Sequence, residues 1–171
     1  ILACTFEGGI GFNNSIPWES KSDLIKFKEI TTTTIDKTKK NAIIMGSNTY
    51  KSIGKSLPNR INIVVSRNKS YENMITINSI NESIEYCNNS DEIEKIYIIG
   101  GSYLYNYFIN SDNYDFDIIL SMMNDHYKCD VNIDIKVMFE KFEFIKSKYY
   151  SNDSKYISYI CKKKLKKNIT Q

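Results

Sequence analysis

The stretch Ile96-Tyr97-Ile98-Ile99-Gly100-Gly101-Ser102-Tyr103-Leu104-Tyr105 decides the fold class. Its first four residues form an apolar run without alternation, which reads as a strand buried on both faces. Two glycines follow, and then a helix over residues 102–109. Glycines at that junction permit close backbone approach and dihedrals closed to other residues. The free amides of a helix start can hold an anion such as phosphate. A tight strand-to-helix turn is the plainer reading of the same pair. The residues alone leave both readings open, since the G-x-G-x-x-G fingerprint is absent.

Working outward, Met45-Gly46-Ser47-Asn48-Thr49-Tyr50 repeats the arrangement. It follows the run Ala42-Ile43-Ile44-Met45 and opens a short helix over 48–53, with Asn48 or Ser47 as its expected cap. Further strand-like runs lie at 1–6, 61–65 and 117–120, and further helix-like pieces at 22–31 and 79–87. Alternation of this kind predicts an α/β domain with a largely parallel sheet. The last third changes character. Residues 142–150 and 156–161 read as two strands joined by Ser151-Asn152-Asp153-Ser154, an antiparallel hairpin at the sheet edge.

Ligands of open α/β sheets bind at the carboxyl ends of the strands. Three such ends here carry phosphate-type groups: Gly46 to Thr49, Ser66-Arg67-Asn68-Lys69, and Gly100 to Tyr105. Together they suit a phosphorylated dinucleotide better than a mononucleotide. Arg60, behind Ile53 and Leu57, is a residue suited to bidentate carboxylate recognition.

Asp23 is the other conspicuous residue. It follows Pro17-Trp18 and shares a helical stripe with Phe27 and Ile30, since i, i+4 and i+7 stack on one face. A carboxylate on an apolar stripe is costly to bury without a partner. Ser20 stands three residues earlier, so a capping box is the structural alternative.

Composition bounds the rest. The chain has 171 residues, 42% hydrophobic and 25% charged, ordinary for one globular domain. Net charge is +3, too small to imply nucleic acid. Much of the basic excess sits in Lys162-Lys163-Lys164-Leu165-Lys166-Lys167, a solvated terminus or a basic linker. Cys4, Cys87, Cys129 and Cys161 are widely spaced, which indicates neither a zinc site nor a disulfide scaffold and fits reduced thiols inside a cell. His126 lies in a polar stretch and reads as a surface loop residue. No apolar run is long enough to span a bilayer. With no targeting segment in view, a cytoplasmic location is expected.

These pieces in this order resemble dihydrofolate reductase. The matching residues are Gly11, Pro17-Trp18, Asp23 and Phe27; Ile44-Met45-Gly46, Thr49-Tyr50, Ser52-Ile53-Gly54, Leu57-Pro58 and Arg60; Ser66-Arg67; and Ile99-Gly100-Gly101 with Tyr105. The resemblance covers residues 1–162, leaving 163–171 as a basic tail or linker. It implies a mostly parallel central β-sheet with a C-terminal antiparallel hairpin, flanked by helices. It also implies NADPH-dependent reduction of 7,8-dihydrofolate to tetrahydrofolate, supporting thymidylate and purine synthesis. Antifolates are the implied inhibitors, and no metal is implied.

By that resemblance Asp23, Trp18 and Ser121 are the catalytic set. Asp23 would bind the pterin and help protonate its ring nitrogen through a water. Trp18 would hold that water, and the Ser121 hydroxyl, in the place of a family threonine, would bond the acid. Ala3, Leu24, Phe27, Ile53, Leu57, Arg60 and Ile99 would complete the substrate site, with Arg60 on the glutamate carboxylate. The cofactor would lie against Ala3, Ile10, Gly46, Ser47, Asn48, Thr49, Ser66, Arg67, Ile99, Gly100, Gly101, Ser102, Tyr103, Leu104 and Tyr105. A cis peptide is expected at Gly100-Gly101. Residues 8–16 match a mobile loop over the nicotinamide. Ser47-Asn48 departs from relatives with basic residues there, which leaves Arg67, with Lys69, to supply most of the charge that selects NADPH.

Residues 31–41 look like the longer eukaryotic form, and 59–67 is similar to protist enzymes often fused to thymidylate synthase. A following thymidylate synthase domain is the corresponding expectation. Two alternatives stay beside the reductase: a related pterin or riboflavin-pathway reductase on the same fold, and a non-catalytic folate-binding module.

Overall fold

The computed structural model describes residues 1–147 and 155–164. Ten strands and five helices follow one another in the order β1 (Leu2–Cys4), β2 (Gly9–Gly11), α1 (Lys21–Thr32), β3 (Lys40–Gly46), α2 (Ser47–Ile53), β4 (Arg60–Val65), β5 (Ile75–Ile77), α3 (Ile80–Asn88), β6 (Ile93–Ile98), α4 (Ser102–Asn110), β7 (Ile118–Met123), β8 (Val131–Asn132), α5 (Ile135–Lys141), β9 (Phe142–Lys146) and β10 (Tyr156–Lys163). The α/β class and its parallel sheet are as the sequence predicts.

One four-stranded sheet has the order β5-β4-β3-β6 and is parallel throughout. Strand β3 shows why. Residues Asn41 to Met45 are all buried. Ala42 and Ile44 pack on one side with Ile80 and Cys87 of α3 and Leu104 and Phe108 of α4. Ile43 and Met45 pack on the other with Phe27 of α1 and Ile53 of α2. Side chains alternate across a strand, so a strand covered on both faces needs an unbroken apolar run.

The second sheet has the order β1-β7-β10-β9, with β1 parallel to β7 and β10 antiparallel to both its neighbours. The amino group of Ile1 donates to Ile98 O at 3.0 Å, which joins the start of β1 to the end of β6. The expected antiparallel pair is present at the sheet edge: β9 is the edge strand, and β10 lies between β9 and β7. Strand β9 ends at Lys146, short of residue 150. The expected turn 151–154, and the tail beyond Lys164, lie outside the described residues.

Helix α1 begins as a capped helix. Ser20 Oγ accepts the Asp23 N–H at 3.2 Å, satisfying one orphan donor of the first turn. It ends at a threonine run. Thr31, Thr32 and Thr33 hydroxyls each donate to the carbonyl four residues back, at 2.7 Å, a back-bonding that weakens helices. Helix α2 corrects one expectation. Its N-cap is Gly46, with no side-chain cap, and Ser47 is already helical.

Candidate active site

A cleft of about 1300 Å³ opens at the carboxyl ends of the parallel strands. It collects residues from β1, α1, α2, β4 and α4, the place where open α/β sheets bind ligands. Of the residues singled out from sequence, Ala3, Ile10, Trp18, Asp23, Leu24, Phe27, Ile53, Leu57, Arg60 and Ile99 line it, as do Gly46 to Thr49, Ser66, Arg67 and Gly100 to Tyr105. Ser121 does not. It is 4% exposed and sits behind Asp23, donating its hydroxyl to Asp23 Oδ1 at 2.6 Å.

Helix capping and a cleft-facing carboxylate thus coexist at Asp23. Its backbone N–H serves the helix cap through Ser20, while its carboxylate is held by Ser121 of β7 and faces the cleft. Trp18 is buried beside it, packed with Met123 and Tyr156 and edge-on to Tyr127 at 5.4 Å between ring centroids. One turn along α1 comes Phe27, and one turn further Thr31.

Arg60 is anchored to that same helix. Its Nη1 donates to Thr31 Oγ1 at 2.8 Å, its Nε donates to Pro58 O at 3.0 Å, and its guanidinium lies 5.8 Å from the Phe27 ring centroid. It is 8% exposed, and burial lowers its pKa from the ordinary arginine value. Among the described residues no carboxylate forms an ion pair with it. A buried guanidinium without an anion is costly, so Arg60 is poised for an anionic group entering the cleft. Asp23 and Thr31 are eight residues apart, which puts the acid and the arginine anchor about 12 Å apart along the helix.

The other half of the cleft is built from glycines and helix starts. Gly46 N donates to Gly100 O at 2.8 Å, extending the β3–β6 pairing past Ile98. The Gly100-Gly101 peptide is cis. Gly100 has φ +125°, and a Cβ there would stand 3.1 Å from Thr49 Oγ1. A side chain would therefore fill the cradle between β3 and β6. Helix α4 starts at Gly101 with no side-chain cap, so its first amides face the cleft unsatisfied. Arg67 and Lys69 stand at the end of β4, and Lys28, Lys51 and Lys55 share the wall. A bare amide cradle with cations around it fits a polyanionic dinucleotide such as NADPH.

Sequence reasoning missed several of these groups. Lys51 and Lys55 stand near the Ser47-Asn48 departure and add to the charge of Arg67 and Lys69. Asn78, Ser79 and Asn81 reach the cleft from the start of α3. Lys26, buried behind Asp23, had no mark in the sequence beyond its i+3 spacing. The segment 8–16 lines the cleft through Ile10, Gly11, Asn14, Ser15 and Ile16. Gly9–Gly11 is strand β2, paired with β8, and Phe12 and Ser15 close a tight turn. A Cβ on Gly9 would overlap Cys129 Sγ, and one on Gly8 would crowd Ile133 O. These two glycines answer to close packing. His126 lies at the surface beside Glu7, at 3.1 Å. Among the described residues no cluster of metal ligands forms, and no helix is long and apolar enough to cross a membrane.

Comparison with known proteins agrees with this geometry. The family model for dihydrofolate reductase matches residues 1–166. The chain is 36% identical over 149 residues to a bifunctional dihydrofolate reductase-thymidylate synthase of Paramecium tetraurelia, covering 86% of this chain and 30% of that protein. It is 40% identical over 109 residues to a dihydrofolate reductase of Candida albicans, covering 60% of this chain and 56% of that one. A Saccharomyces cerevisiae dihydrofolate reductase is 36% identical over 118 residues, at 61% and 56%. The chain spans between 20% and 30% of the length of the bifunctional relatives and just over half of the shorter ones. With residues 1–166 of the chain matched to the family and the acid, arginine and glycine cradle in one cleft, the chain belongs to the dihydrofolate reductase family.

Proposed function

We propose that the chain reduces 7,8-dihydrofolate to tetrahydrofolate with NADPH. The observation that carries this is the pairing, on one face of α1, of a hydroxyl-held carboxylate and a buried arginine without a carboxylate partner among the described residues. A ligand with a hydrogen-bonding ring system at one end and a carboxylate about two helical turns away satisfies both. Phe27, Ile53 and Leu57 supply the apolar slot between them, where an aromatic linker gains area burial and ring packing.

NADPH, when bound, supplies a hydride to the pterin. The residues of this chain do the rest. The amides at Gly101 and the start of α4 would hold anionic oxygens, and Ser66, Arg67 and Lys69 would bind a further phosphate. Ala3 and Ile99 would present backbone groups to the nicotinamide and the pterin. Asp23 accepts hydrogen bonds from the ring nitrogen and exocyclic amine of the pterin. It thereby orients the ring and assists delivery of one proton to the ring nitrogen through a water held near Trp18. Reduction consumes one NADPH and one proton per tetrahydrofolate formed.

This reading includes a thymidylate synthase portion in the full-length protein, supported by the similarity to bifunctional relatives. Sequencing the transcript through the 3′ end tests it, and a stop codon directly after residue 171 would contradict it. The reductase itself is tested by following NADPH absorbance on addition of dihydrofolate. Loss of absorbance with formation of tetrahydrofolate supports the proposal. Tight antifolate binding without turnover would instead support a folate-binding module, and turnover only with other pterins would support a related reductase.

A further inference from the structure

Behind the cleft, a lysine is buried against the acid. Lys26 lies on α1, one turn after Asp23, and is 7% exposed. Lysines are almost never this buried without partners, and its surroundings supply them. Its Nζ donates to Ser158 Oγ at 2.6 Å and to Ser121 Oγ at 3.2 Å. These serines face each other across β10 and β7 and are 0% and 4% exposed. The Tyr156 ring lies 5.2 Å from the ammonium, a cation–π distance.

The Ser121 hydroxyl has one proton to give. With Lys26 donating to its oxygen, that proton goes to Asp23 Oδ1, the direction the structure shows. The ammonium, the hydroxyl and the carboxylate form a directed chain. From this geometry we infer that Lys26 is a positioning residue that, through Ser121, fixes the orientation of the Asp23 carboxylate and couples its own charge to it. The inference rests on the reductase reading only for its kinetic consequence, since the chain of hydrogen bonds is there without substrate.

The other groups around the pair do not substitute for Lys26. On α4, the Tyr105 hydroxyl donates to Ile1 O and is held protonated by burial, with the Cys4 thiol and Asp23 adding to the shift. On β1, the Cys4 thiol is itself kept neutral by burial. On β10, Tyr156 presents its ring face. Lys28 and Arg60 share the cleft, but Lys28 is exposed and Arg60 is engaged at Thr31. Burial lowers the Lys26 pKa from the usual lysine value, while the Asp23 carboxylate opposes that. The acid thus favours the charged form of the lysine.

The test is direct titration of the Asp23 carboxyl by 13C NMR in the ligand-free protein, in wild type, Lys26→Met and Lys26→Arg. Loss of an opposite charge raises a carboxyl pKa. The midpoint is expected to rise by about one pH unit in Lys26→Met and to return toward wild type in Lys26→Arg. The same rise is expected in the pH profile of NADPH-dependent dihydrofolate reduction. In a Ser121→Ala background, Lys26→Met is expected to shift the midpoint less, because the connecting hydroxyl is gone. Lys26→Gln replaces Lys26→Met if the latter does not fold, since it also removes the charge. An unchanged midpoint in whichever variant folds, or an equal shift with and without Ser121, overturns the inference. Absence of any reductase activity overturns the proposed function alone, because the NMR midpoint is read without turnover.

Discussion

At the residue scale, two side chains carry the functional reading, and each fails in its own way when changed. Arg60 is expected to act on binding. In Arg60→Gln, the KM for dihydrofolate should rise by about ten- to a hundredfold, the value of a charge-assisted pair, while kcat changes less. Steady-state kinetics with dihydrofolate beside a dihydropterin lacking the glutamate check this, because the truncated substrate should be insensitive. Asp23 could be found in the sequence because a carboxylate on an apolar stripe is anomalous. Ser121 could be identified only through the family resemblance, since one hydroxyl in a strand carries no signal. Lys26 was invisible for a different reason. Its meaning depends on which strands lie under α1, and only the β7–β10 pairing brings Ser121 and Ser158 together beneath it.

At the element scale, the long apolar runs were legible and several of the short elements were not. Strand β3 announces itself because both its faces are covered. Strands β2, β5 and β8 have two or three residues each, and their existence depends on partners far away in sequence. Helix α5 has seven residues, too few for its periodicity to stand out. The N-terminus of α1 gives an element-scale prediction. Ser20→Ala removes the hydroxyl that accepts the Asp23 N–H and should destabilise the fold by about 1 kcal/mol. Turnover should fall far less than in a variant of Asp23 itself. Urea denaturation alongside steady-state assays separates the two effects.

At the scale of the whole molecule, the joined sheets enclose three buried thiols. Burial pushes Cys4 and Cys161 up to about 12 and Cys87 up to about 11, from an ordinary value of 9.0. In the unfolded chain these thiols ionise first, so above about pH 9 the unfolded state binds fewer protons than the native one. Their contribution to stability is therefore fully present below about pH 9 and is lost as pH rises toward 12. Lys26, whose pKa is lowered in the fold, works oppositely, gaining stability up to the ordinary lysine value of 10.5. Between about pH 10.5 and 12 the loss from the thiols should go unopposed by Lys26, and thermal midpoints should fall over that range. All four cysteines are free, and Cys129, half-buried, should react first with a thiol reagent. The shared cleft is also a property of the whole molecule, since it draws on α1, α2, α4, strands of the parallel sheet and β1. The most direct measurement of what it does is NADPH oxidation with dihydrofolate, comparing wild type with Asp23→Asn across pH. Turnover is expected in wild type, with a fall of about 10²- to 10⁴-fold in the variant at neutral pH and partial recovery at low pH, where the substrate is already protonated. Equal turnover in both proteins would contradict the role proposed for Asp23.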